Sequence, residues 1–307
     1  MQLQTAVEAV SLHEVPHVLP QPHENPPQAL MDRVLATFPA SEKDALYRLD
    51  MFLRERGKGY NANRDFPAKN GTAKLSPYFT LGLLSPRVAL VKALALNAGK
   101  YDSGSDGIVT WISELCWRDF YRNILIEFPQ VSKNKPFKLE TDLVSWTTDP
   151  QNALFQKWCA GTTGYPIVDA GMRQLLQEGW MHNRVRMITA SFLTKDLGVD
   201  WRLGERHFMR NLVDGDLASN NGGWQWAAST GTDSQPYFRI FNPSLQSERF
   251  DPDGAYIRKY VPELAGVKGK EIHDPKHRNK IGYAAQIVDH KVASKAFLEV
   301  FKKGIGK

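Results

Sequence analysis

Apolar residues recur at helical spacing along most of the chain, and this periodicity constrains the fold more than any other feature. After Ser41, residues Ala45, Leu49 and Phe52 lie three or four positions apart, as on one face of an amphipathic helix. Similar patterns predict helices over 88–96, 108–128, 164–180, 183–197 and 205–212. No stretch alternates apolar and polar residues as a strand would, and no strand–helix–strand order is visible. The sequence therefore predicts an all-α fold.

Composition excludes several classes of protein. The 307 residues are 42% hydrophobic and 23% charged, which is typical of a globular chain and excludes wholesale disorder. Two cysteines cannot form a disulfide framework, and they fit a reducing compartment. No run of 18 apolar residues exists, and the N-terminus lacks a basic start before an apolar segment. We therefore expect a cytoplasmic protein that does not enter a membrane.

The N-terminal region reads as an arm that precedes one large domain. Residues 11–27 contain five prolines and almost no periodicity. We expect an arm over 1–28 and a helical domain over 29–307. The sequence His13-Glu-Val-Pro-His17 matches the zinc-protease motif HExxH, but Pro16 removes the helix that would bring both histidines to one metal. No metal site is expected.

The distribution of charge along the sequence is more informative about a binding site than the net charge. The net charge of +6 permits a nucleic-acid partner without demonstrating one. Residues 251–307 have 12 basic and 7 acidic side chains, mostly lysine among the basic ones, as in a solvated tail. Residues 164–250 are neutral overall, yet eight of their nine basic residues are arginine. Because the guanidinium group matches carboxylates and phosphates, the arginine-rich segment is the better place to search for a site.

Two helical segments combine polar and aromatic residues on one face. Trp111, Glu114 and either Trp117 or Arg118 are three or four positions apart. This spacing slightly favours a lined pocket over the alternative of core tryptophans with a surface ion pair. In the second segment Asn183 is followed by Arg186 and Met187 at the same spacing, where a binding wall and a helix cap with solvated charge are equally compatible with the pattern.

Two further segments suggest ligand contacts. Residues 214–226 concentrate acids, amides, glycines and two tryptophans, which favours a ligand site over an ordinary loop, with Gly222 and Gly223 allowing close backbone approach. Thr72, Lys74 and Ser76 near a helix entrance form a weaker candidate phosphate cradle. The motifs GxGxxG, GxxxxGK[ST] and GxSxG are absent from the sequence, so dinucleotide-binding, P-loop and hydrolase folds have no support.

Several of these strings resemble one family. The segments WISELCWRDFYR, GYPIVDAGMRQL, WMHNRVRM, DWRLGERHF and DGDLASNNGGWQWAASTGTDSQPYFRIFNP are similar to the FAD-binding domain of the photolyase/cryptochrome family, and most similar to class I cyclobutane pyrimidine dimer photolyases. The resemblance extends from about Glu42 to the C-terminus. It implies a helical domain that binds FAD and repairs cyclobutane pyrimidine dimers in DNA under blue light. Excited FADH⁻ would donate an electron to a flipped-out dimer, which makes the enzyme a carbon–carbon lyase.

The resemblance also assigns roles to individual positions. It implies FAD contacts by Tyr60, Thr72, Ala73, Lys74, Leu75, Ser76, Trp111, Glu114, Arg118, Arg186, Asp214, Gly215, Asp216 and Asn220. Among these, Arg186 is the expected partner of Asp214, and Asn220 is expected to face flavin N5. The family often has Ser-Arg where Ala73-Lys74 stand, so one hydroxyl is lost and the charge is kept.

Catalytic, electron-transfer and DNA-binding roles follow from the same resemblance. It implies a catalytic and lesion-binding set of Glu114, Trp117, Asn183, Met187, Trp226 and Asn220. It implies an electron relay to the flavin through Trp146, Trp201 and Trp224, with Trp224 nearest the flavin. It implies DNA-backbone contacts by Arg64, Arg184, Arg239 and Gln246.

Two other activities of the same family are alternatives. A cryptochrome-like receptor would bind FAD without repair, and the complete lesion set together with the short tail after Phe301 argues against it. A (6-4) photolyase would have two adjacent histidines where this chain has His182-Asn183. Family members also have an α/β antenna domain before the helical domain, whereas this sequence has only the arm there, so neither methenyltetrahydrofolate nor deazaflavin is expected. We expect a monomer in a bacterial cytoplasm with dimer-containing DNA as its partner.

Overall fold

A computed structural model describes residues 27–306. Its helices are α1 (Gln28–Thr37), α2 (Glu42–Glu55), α3 (Tyr60–Asn63), α4 (Ser76–Thr80), α5 (Pro86–Leu96), α6 (Asp106–Glu127), α7 (Ala153–Ala160), α8 (Pro166–Glu178), α9 (Asn183–Ser191), α10 (Trp201–Asn211), α11 (Leu217–Ala228), α12 (Pro243–Phe250), α13 (Ala255–Tyr260) and α14 (His290–Gly304). Over these residues the only β pairing is an isolated parallel bridge between Thr147 and Val199. The all-α prediction is thus confirmed for the described part. The HExxH segment and most of the predicted arm lie outside the described residues.

Side-chain caps explain where several helices begin. The Ser41 hydroxyl accepts a hydrogen bond from the Asp44 N–H at 3.0 Å, which starts α2 as predicted. Ser85 caps α5 in the same way, with Pro86 in its first turn. The helix predicted from residue 205 begins earlier, because Asp200 caps α10 at Trp201. Local capping chemistry therefore fixes these boundaries more closely than apolar periodicity does.

The segment 214–226, which the sequence predicts to be a ligand site, is mostly helical. From Leu217 onward it is the regular helix α11, which Asp216 caps through the Ala218 N–H. A Cβ atom at Gly222 would lie 2.2 Å from the ring of Tyr121 on α6, so this glycine permits close helix packing instead of backbone approach to a ligand. At Gly223 an added Cβ would meet no described atom within 4 Å. Only Gly223 therefore keeps the open surface that the prediction required.

The helix predicted over 183–197 is also not uniform. It is α-helical only to Ser191, and residues Phe192–Asp196 form a π-helical turn. In this turn the Thr194 hydroxyl donates to the Ala190 carbonyl at 2.8 Å. The π turn widens the helix just after the segment that carries Asn183 and Met187.

Two large apolar clusters build the interior. One consists mainly of residues from α7 to α13 and includes Trp158, Trp201 and Trp224. The other consists mainly of residues from α2 to α6 and includes Phe52 and Trp111. Helix α11 packs against both α6 and α9. Four of the predicted site residues lie on α6, four on α9 and three on α11. The packing therefore brings distant parts of the sequence to one place.

Candidate functional site

The loop before α4 presents alternate residues to different surroundings. Ala73 and Leu75 are buried in the second cluster, which anchors the loop. Lys74 between them has a positive φ of 50° and places its ammonium 4.8 Å from the centre of the Trp180 ring. Ser76 accepts a hydrogen bond from the Trp180 indole N–H at 3.4 Å. A lysine in the left-handed region is costly and is typical of functional loops, and no sequence pattern around Lys74 predicts this conformation.

A buried ion pair joins α9 to the turn before α11. The Arg186 Nη2 lies 2.8 Å from Asp214 Oδ2 and 3.1 Å from its Oδ1, and Arg186 Nε donates to the Met181 carbonyl at 2.8 Å. The Asp214 side chain is only 3% exposed. The Thr80 hydroxyl of α4 donates to the Asp214 carbonyl at 3.3 Å. The expected Arg186–Asp214 pairing is therefore present, and it adjoins the Lys74 loop through α4.

Positive charge from α6 faces Asp216. Arg122 Nη2 lies 3.5 Å from Asp216 Oδ2, and this carboxylate also caps α11. Burial, with a smaller contribution from Arg122, lowers the pKa of Arg118. Gly215 is the half-buried turn residue between the two aspartates. The aspartates thus occupy different environments, with Asp214 neutralised by a buried partner and Asp216 near an exposed one.

Asn220 lies next to a buried acid that the sequence analysis missed. Its amide donates to the Glu205 backbone carbonyl at 3.0 Å, and the neighbouring Asn221 donates to Glu205 Oε1 at 2.9 Å. Burial raises the pKa of Glu205. Glu205 is four residues after Trp201 and three before Phe208, on the buried face of α10. In the sequence, this buried acid was indicated only by its position on the face of the helix that is otherwise apolar.

Two consecutive residues hold α6 and α9 beside one opening. Arg64, directly after α3, pairs with Glu114 Oε1 of α6 at 2.5 Å. Its neighbour Asp65 pairs through Oδ1 with Arg184 Nη2 of α9 at 2.8 Å. Two of the arginines predicted to contact DNA are therefore already paired with carboxylates. The pairs tie the helix of Glu114 and Trp117 and the helix of Asn183 and Met187 to the same two-residue segment after α3.

The predicted lesion residues are exposed or half-buried on α6, α9 and α11. The Trp117 side chain is 42% exposed and its ring centre is 6.1 Å from that of Tyr121. The Asn183 amide lies 3.9 Å from the Met187 sulfur, so these two share one wall. Trp226 and Tyr121 line a common shallow pocket that encloses almost no free volume. Trp111 does not line a pocket, as the spacing on α6 slightly favoured. It packs in the core with its ring centre 5.5 Å from that of Phe52, in the same apolar cluster as Tyr60.

His182 provides a test of whether an acceptor-rich ligand fits between the loop and α9. Burial lowers its pKa to about 4, so the ring is neutral at pH 7. Its Nδ1 accepts from the Arg184 N–H at 3.2 Å, which assigns the remaining proton to Nε2. That buried Nε2 has no partner among the described residues. The charges around the ring are mixed, with Asp65 acting against the nearby arginines and Lys74. The unpartnered Nε2–H is therefore the feature that fits an oxygen-bearing ligand such as FAD.

The three relay tryptophans have unlike environments. Trp201 and Trp224 are buried on α10 and α11, and a Cβ at Gly204 would lie 2.2 Å from the Trp224 ring. Gly204 is one turn after Trp201, so both rings pack against the same stretch of α10. Trp146 is partly buried against Phe297 of α14, with ring centres 6.0 Å apart. The structure thus has two inner tryptophans and one outer one.

The remaining predicted DNA contacts lie on the C-terminal side of the opening. Gln246 is one turn before Phe250 on α12, and the Arg184 guanidinium lies 4.3 Å from the centre of the Phe250 ring. Arg239 is exposed, and its carbonyl accepts from the buried Lys195 ammonium at 3.1 Å. Gln246 therefore adjoins the opening through Arg184, while the structure gives no contact that links Arg239 to it.

Residues 27–306 contain no group of three His, Cys, Asp or Glu side chains placed to hold a metal ion. None of their helices is both long enough and apolar enough to cross a membrane.

Comparison with known proteins assigns the family. Residues 111–303 match the model of the FAD binding domain of DNA photolyase. The chain is 51% identical to the deoxyribodipyrimidine photo-lyase of Escherichia coli over 277 residues, which are 88% of this chain and 58% of that protein. It is 48% identical to the enzyme of the same name from Vibrio cholerae over 302 residues, covering 97% of this chain and 64% of that one. The chain thus spans about six tenths of the length of these relatives.

Comparison with solved structures indicates the same family. A bacterial class III photolyase from Agrobacterium tumefaciens matches with a TM-score of 0.85 at 42% identity, covering 92% of this chain and 60% of that one. A Synechocystis cryptochrome matches with a TM-score of 0.79 at 33% identity, covering 88% and 57%. The order of the helices, the converging site residues and these matches lead to one conclusion: the chain belongs to the family of the FAD-binding domain of DNA photolyase.

Proposed function

We propose that this chain binds FAD and, with the flavin reduced to FADH⁻, uses blue light to split cyclobutane pyrimidine dimers in DNA. The observation that supports this most is the opening held by the Arg64–Glu114 and Asp65–Arg184 pairs. Through these pairs, the helix with an exposed tryptophan and an acid (α6) and the helix with an amide and a thioether (α9) are tied to the same segment. The names of the relatives favour the same activity.

The residues around Lys74 and Asp214 fit the cofactor. Lys74, Thr72 and Ser76 would hold the diphosphate, since an ammonium and hydroxyls match phosphate oxygens. The Arg186–Asp214 pair would hold the polar edge of the flavin, while Asn220 on α11 would face its N5. When bound, the cofactor supplies a light-driven electron and takes it back, so the reaction has no net redox change. The protein supplies placement and charge.

The opening supplies selectivity for a damaged pair. A dimer that is poorly stacked costs less to flip out of the duplex than an intact pair. Trp117 would stack on the flipped bases, opposite Trp226, because its exposed ring is free to accept a planar partner. Glu114 and Asn183 would hydrogen-bond base edges, for which Glu114 must share or release Arg64. Arg64, Arg184, Arg239 and Gln246 would contact the backbone, which positions the DNA without reading its sequence.

The decisive experiment follows repair and cofactor together. The purified chain should show flavin absorption, and after chemical reduction and illumination it should convert thymine-dimer DNA into intact thymines while leaving (6-4) lesions unchanged. Asp214→Ala should retain less flavin, because it leaves Arg186 unpaired in a largely buried site. Lys92→Ala, which breaks the remote Lys92–Asp50 pair, is the matched control and should retain flavin normally.

The outcomes separate the alternatives. If reduced flavin is bound and dimers persist under light, the repair proposal fails, and the likeness to the Synechocystis cryptochrome favours a receptor that binds FAD without repair. If the chain rejects added FAD, both proposals fail. A cytoplasmic location, a monomeric state and the absence of an antenna chromophore stay predictions, because no observation on the described residues tests them.

A further inference from the structure

Lys195, in the π-helical turn, is a buried cation that takes no part in the site described above. It is only 1% exposed, and burial lowers its pKa to about 7. The adjacent carboxylate of Asp196 does not pair with it, because Asp196 Oδ1 binds His290 Nδ1 of α14 at 2.5 Å and Oδ2 has no partner among the described residues. A buried ammonium without a carboxylate partner is costly, so stability alone does not account for Lys195.

The ammonium of Lys195 has one hydrogen-bond acceptor among the described residues. Its Nζ donates to the backbone carbonyl of Arg239 at 3.1 Å. It also lies 5.9 Å from the centre of the Phe297 ring of α14. Arg239 belongs to the α11–α12 segment, residues 229–242, which connects the two helices. The bond therefore ties this segment to the interior of the protein.

The backbone around Arg239 is otherwise weakly held. Over residues 236–241 there is no regular helix or strand. Among the described residues, the bond from Lys195 is the only hydrogen bond between the backbone of 236–241 and a residue outside that range. The Tyr237 ring adds a stacking contact with Phe301 of α14, with ring centres 5.2 Å apart. Because Arg239 itself is exposed, Lys195 holds its carbonyl inside while its side chain faces solvent.

We propose that Lys195 is a positioning residue for DNA binding, which fixes the backbone at Arg239 so that the exposed guanidinium meets a phosphate of the DNA. The inference rests on the proposed function, because the contact between Arg239 and the DNA backbone belongs to it. A hydrogen bond from an ammonium to a carbonyl is charge-assisted and stronger than a neutral one. An arginine on a backbone that is already fixed loses less conformational entropy when it binds its ligand.

The charge of Lys195 links this role to pH. Besides burial, Asp196 is the one group that shifts its pKa, and it raises it. His290 of α14 pairs with Asp196, helix α11 has no ionisable residue, and none on α10 shifts the Lys195 pKa. Lys195 is therefore mostly charged at about pH 6 and mostly neutral at about pH 8.5. We expect the bond to Arg239, and DNA binding with it, to weaken as the pH rises.

The first test is a double-mutant cycle, measured by fluorescence anisotropy with undamaged duplex DNA at about pH 6. Lys195→Met should weaken binding by about two- to tenfold, the range for ordering one long side chain. It should also reduce the slope of log affinity against log salt concentration by about 1. In the Arg239→Ala background, Lys195→Met should change neither quantity further. Equal weakening with and without Arg239→Ala would overturn the proposal, because Lys195 would then act by a route other than Arg239.

Lys138 offers the matched control for this cycle. Its Nζ donates to Ser234 Oγ of the same segment at 2.7 Å, away from the backbone of Arg239. Lys138→Met also removes a lysine that binds the α11–α12 segment, and its effect should be the same with and without Arg239→Ala. A coupling of Lys138 to Arg239 as strong as that of Lys195 would contradict the specific role of Lys195.

A second measurement leaves residue 195 unchanged and so does not depend on the folding of a Lys195 variant. Between about pH 6 and 8.5, the affinity of the unmodified chain for the undamaged duplex should fall by about two- to tenfold more than that of Arg239→Ala. Histidines that titrate in this range are common to both proteins and cancel in the comparison. Identical pH profiles for the two proteins would refute the proposal.

Flavin absorption and dimer repair by the chemically reduced chain are recorded in parallel. Their absence in the unmodified chain counts against the proposed function. If they are present and Arg239→Ala leaves DNA affinity unchanged, the role of Lys195 is refuted while the repair activity stands.

Discussion

The buried tryptophans around Trp224 and the exposed Trp117 on α6 both have several aromatic neighbours. Packing alone explains the buried tryptophans, whereas it does not explain Trp117. Trp158, Trp201 and Trp224 are at most 2% exposed, and burial of apolar surface alone accounts for their presence. Trp117 leaves 42% of its surface in water while its neighbours Phe120 and Tyr121 crowd against it. Stability does not explain an open aromatic cluster of this kind, whereas a planar ligand does.

The difference teaches how each role must be tested. A substitution in the buried set changes packing and electron transfer together, so loss of activity alone says little about function. A substitution at Trp117 changes the opening and little else. Measurements of unfolding therefore distinguish the buried tryptophans from Trp117, and measurements of DNA binding then test the role of Trp117.

The largest expected effect is on stability in the buried set. Trp158→Ala should lower the free energy of unfolding by about 3–5 kcal/mol, since it opens a cavity in the core and removes the bond to Thr189. Trp117→Ala should cost less than about 1 kcal/mol, because its ring is largely exposed. Urea denaturation followed by circular dichroism measures both. Similar costs for the two substitutions would contradict the division into buried and open tryptophans.

The second effect is a pH dependence of stability to which the buried set contributes through His207. Burial lowers the pKa of His207, which lies beside Trp158, to about 4. The unfolded chain, with an ordinary histidine pKa near 6.5, therefore binds more protons than the folded chain between about pH 6.5 and 4. The free energy of unfolding should fall as the pH is lowered through this range, by up to about 3 kcal/mol from this residue.

Comparison with His207→Phe isolates the contribution of this histidine. The variant should lose part of the acid-induced destabilisation, and the part due to His182, whose pKa is also lowered to about 4, should remain. Buried carboxyl groups with raised pKa values, such as Glu205, act in the opposite direction in both proteins and cancel in the difference. Parallel curves of stability against pH for the two proteins would show that His207 is not buried as described.

The sequence predicted six of the fourteen helices of the described residues, and the surroundings of the site only in part. Apolar periodicity and caps such as Ser41 are local signals, so α2 and α5 were predictable. The family resemblance identified Arg186 and Asp214 as partners, and they are paired. Conversely, the helix α11 was obscured by Gly222 and Gly223, which lower helix propensity but at Gly222 serve the contact with Tyr121.

What the sequence could not supply are relations between distant segments. The pairing of Arg64 with Glu114 joins positions 50 residues apart, and no local pattern shows that Glu114 neutralises an arginine assigned to DNA. The contact of Trp158 with Trp224 depends in the same way on how α7 packs against α11. Such contacts follow from tertiary packing, which periodicity constrains only through the identity of the buried face.

The third prediction moves to the open region. Trp117→Ala should weaken binding of dimer-containing DNA in the dark by about ten- to a hundredfold, since one base–aromatic stacking contact contributes roughly 1–3 kcal/mol. Binding of undamaged DNA of the same sequence should change much less, because it depends on phosphate contacts. Fluorescence anisotropy with both duplexes measures the ratio. Tyr47→Ala, an exposed aromatic substitution on α2, is the control and should leave both affinities unchanged. Equal weakening for the two duplexes would remove Trp117 from the lesion pocket.

The smallest effect is expected at the exposed Arg239, whose role is separable from stacking. Arg239→Ala should weaken binding of damaged and undamaged DNA alike, and it should reduce the slope of log affinity against log salt concentration by about 1, as for one lost phosphate contact. Lys43→Ala on α2 removes an equal exposed charge and should leave the slope unchanged, because Lys43 belongs to neither the opening nor α12. An Arg239→Ala variant with an unchanged slope would show that the protein surface that binds DNA ends at Arg184 and Gln246. A loss restricted to damaged DNA would instead place Arg239 within the lesion pocket, and the contrast between stacking by Trp117 and backbone binding by arginine would no longer hold.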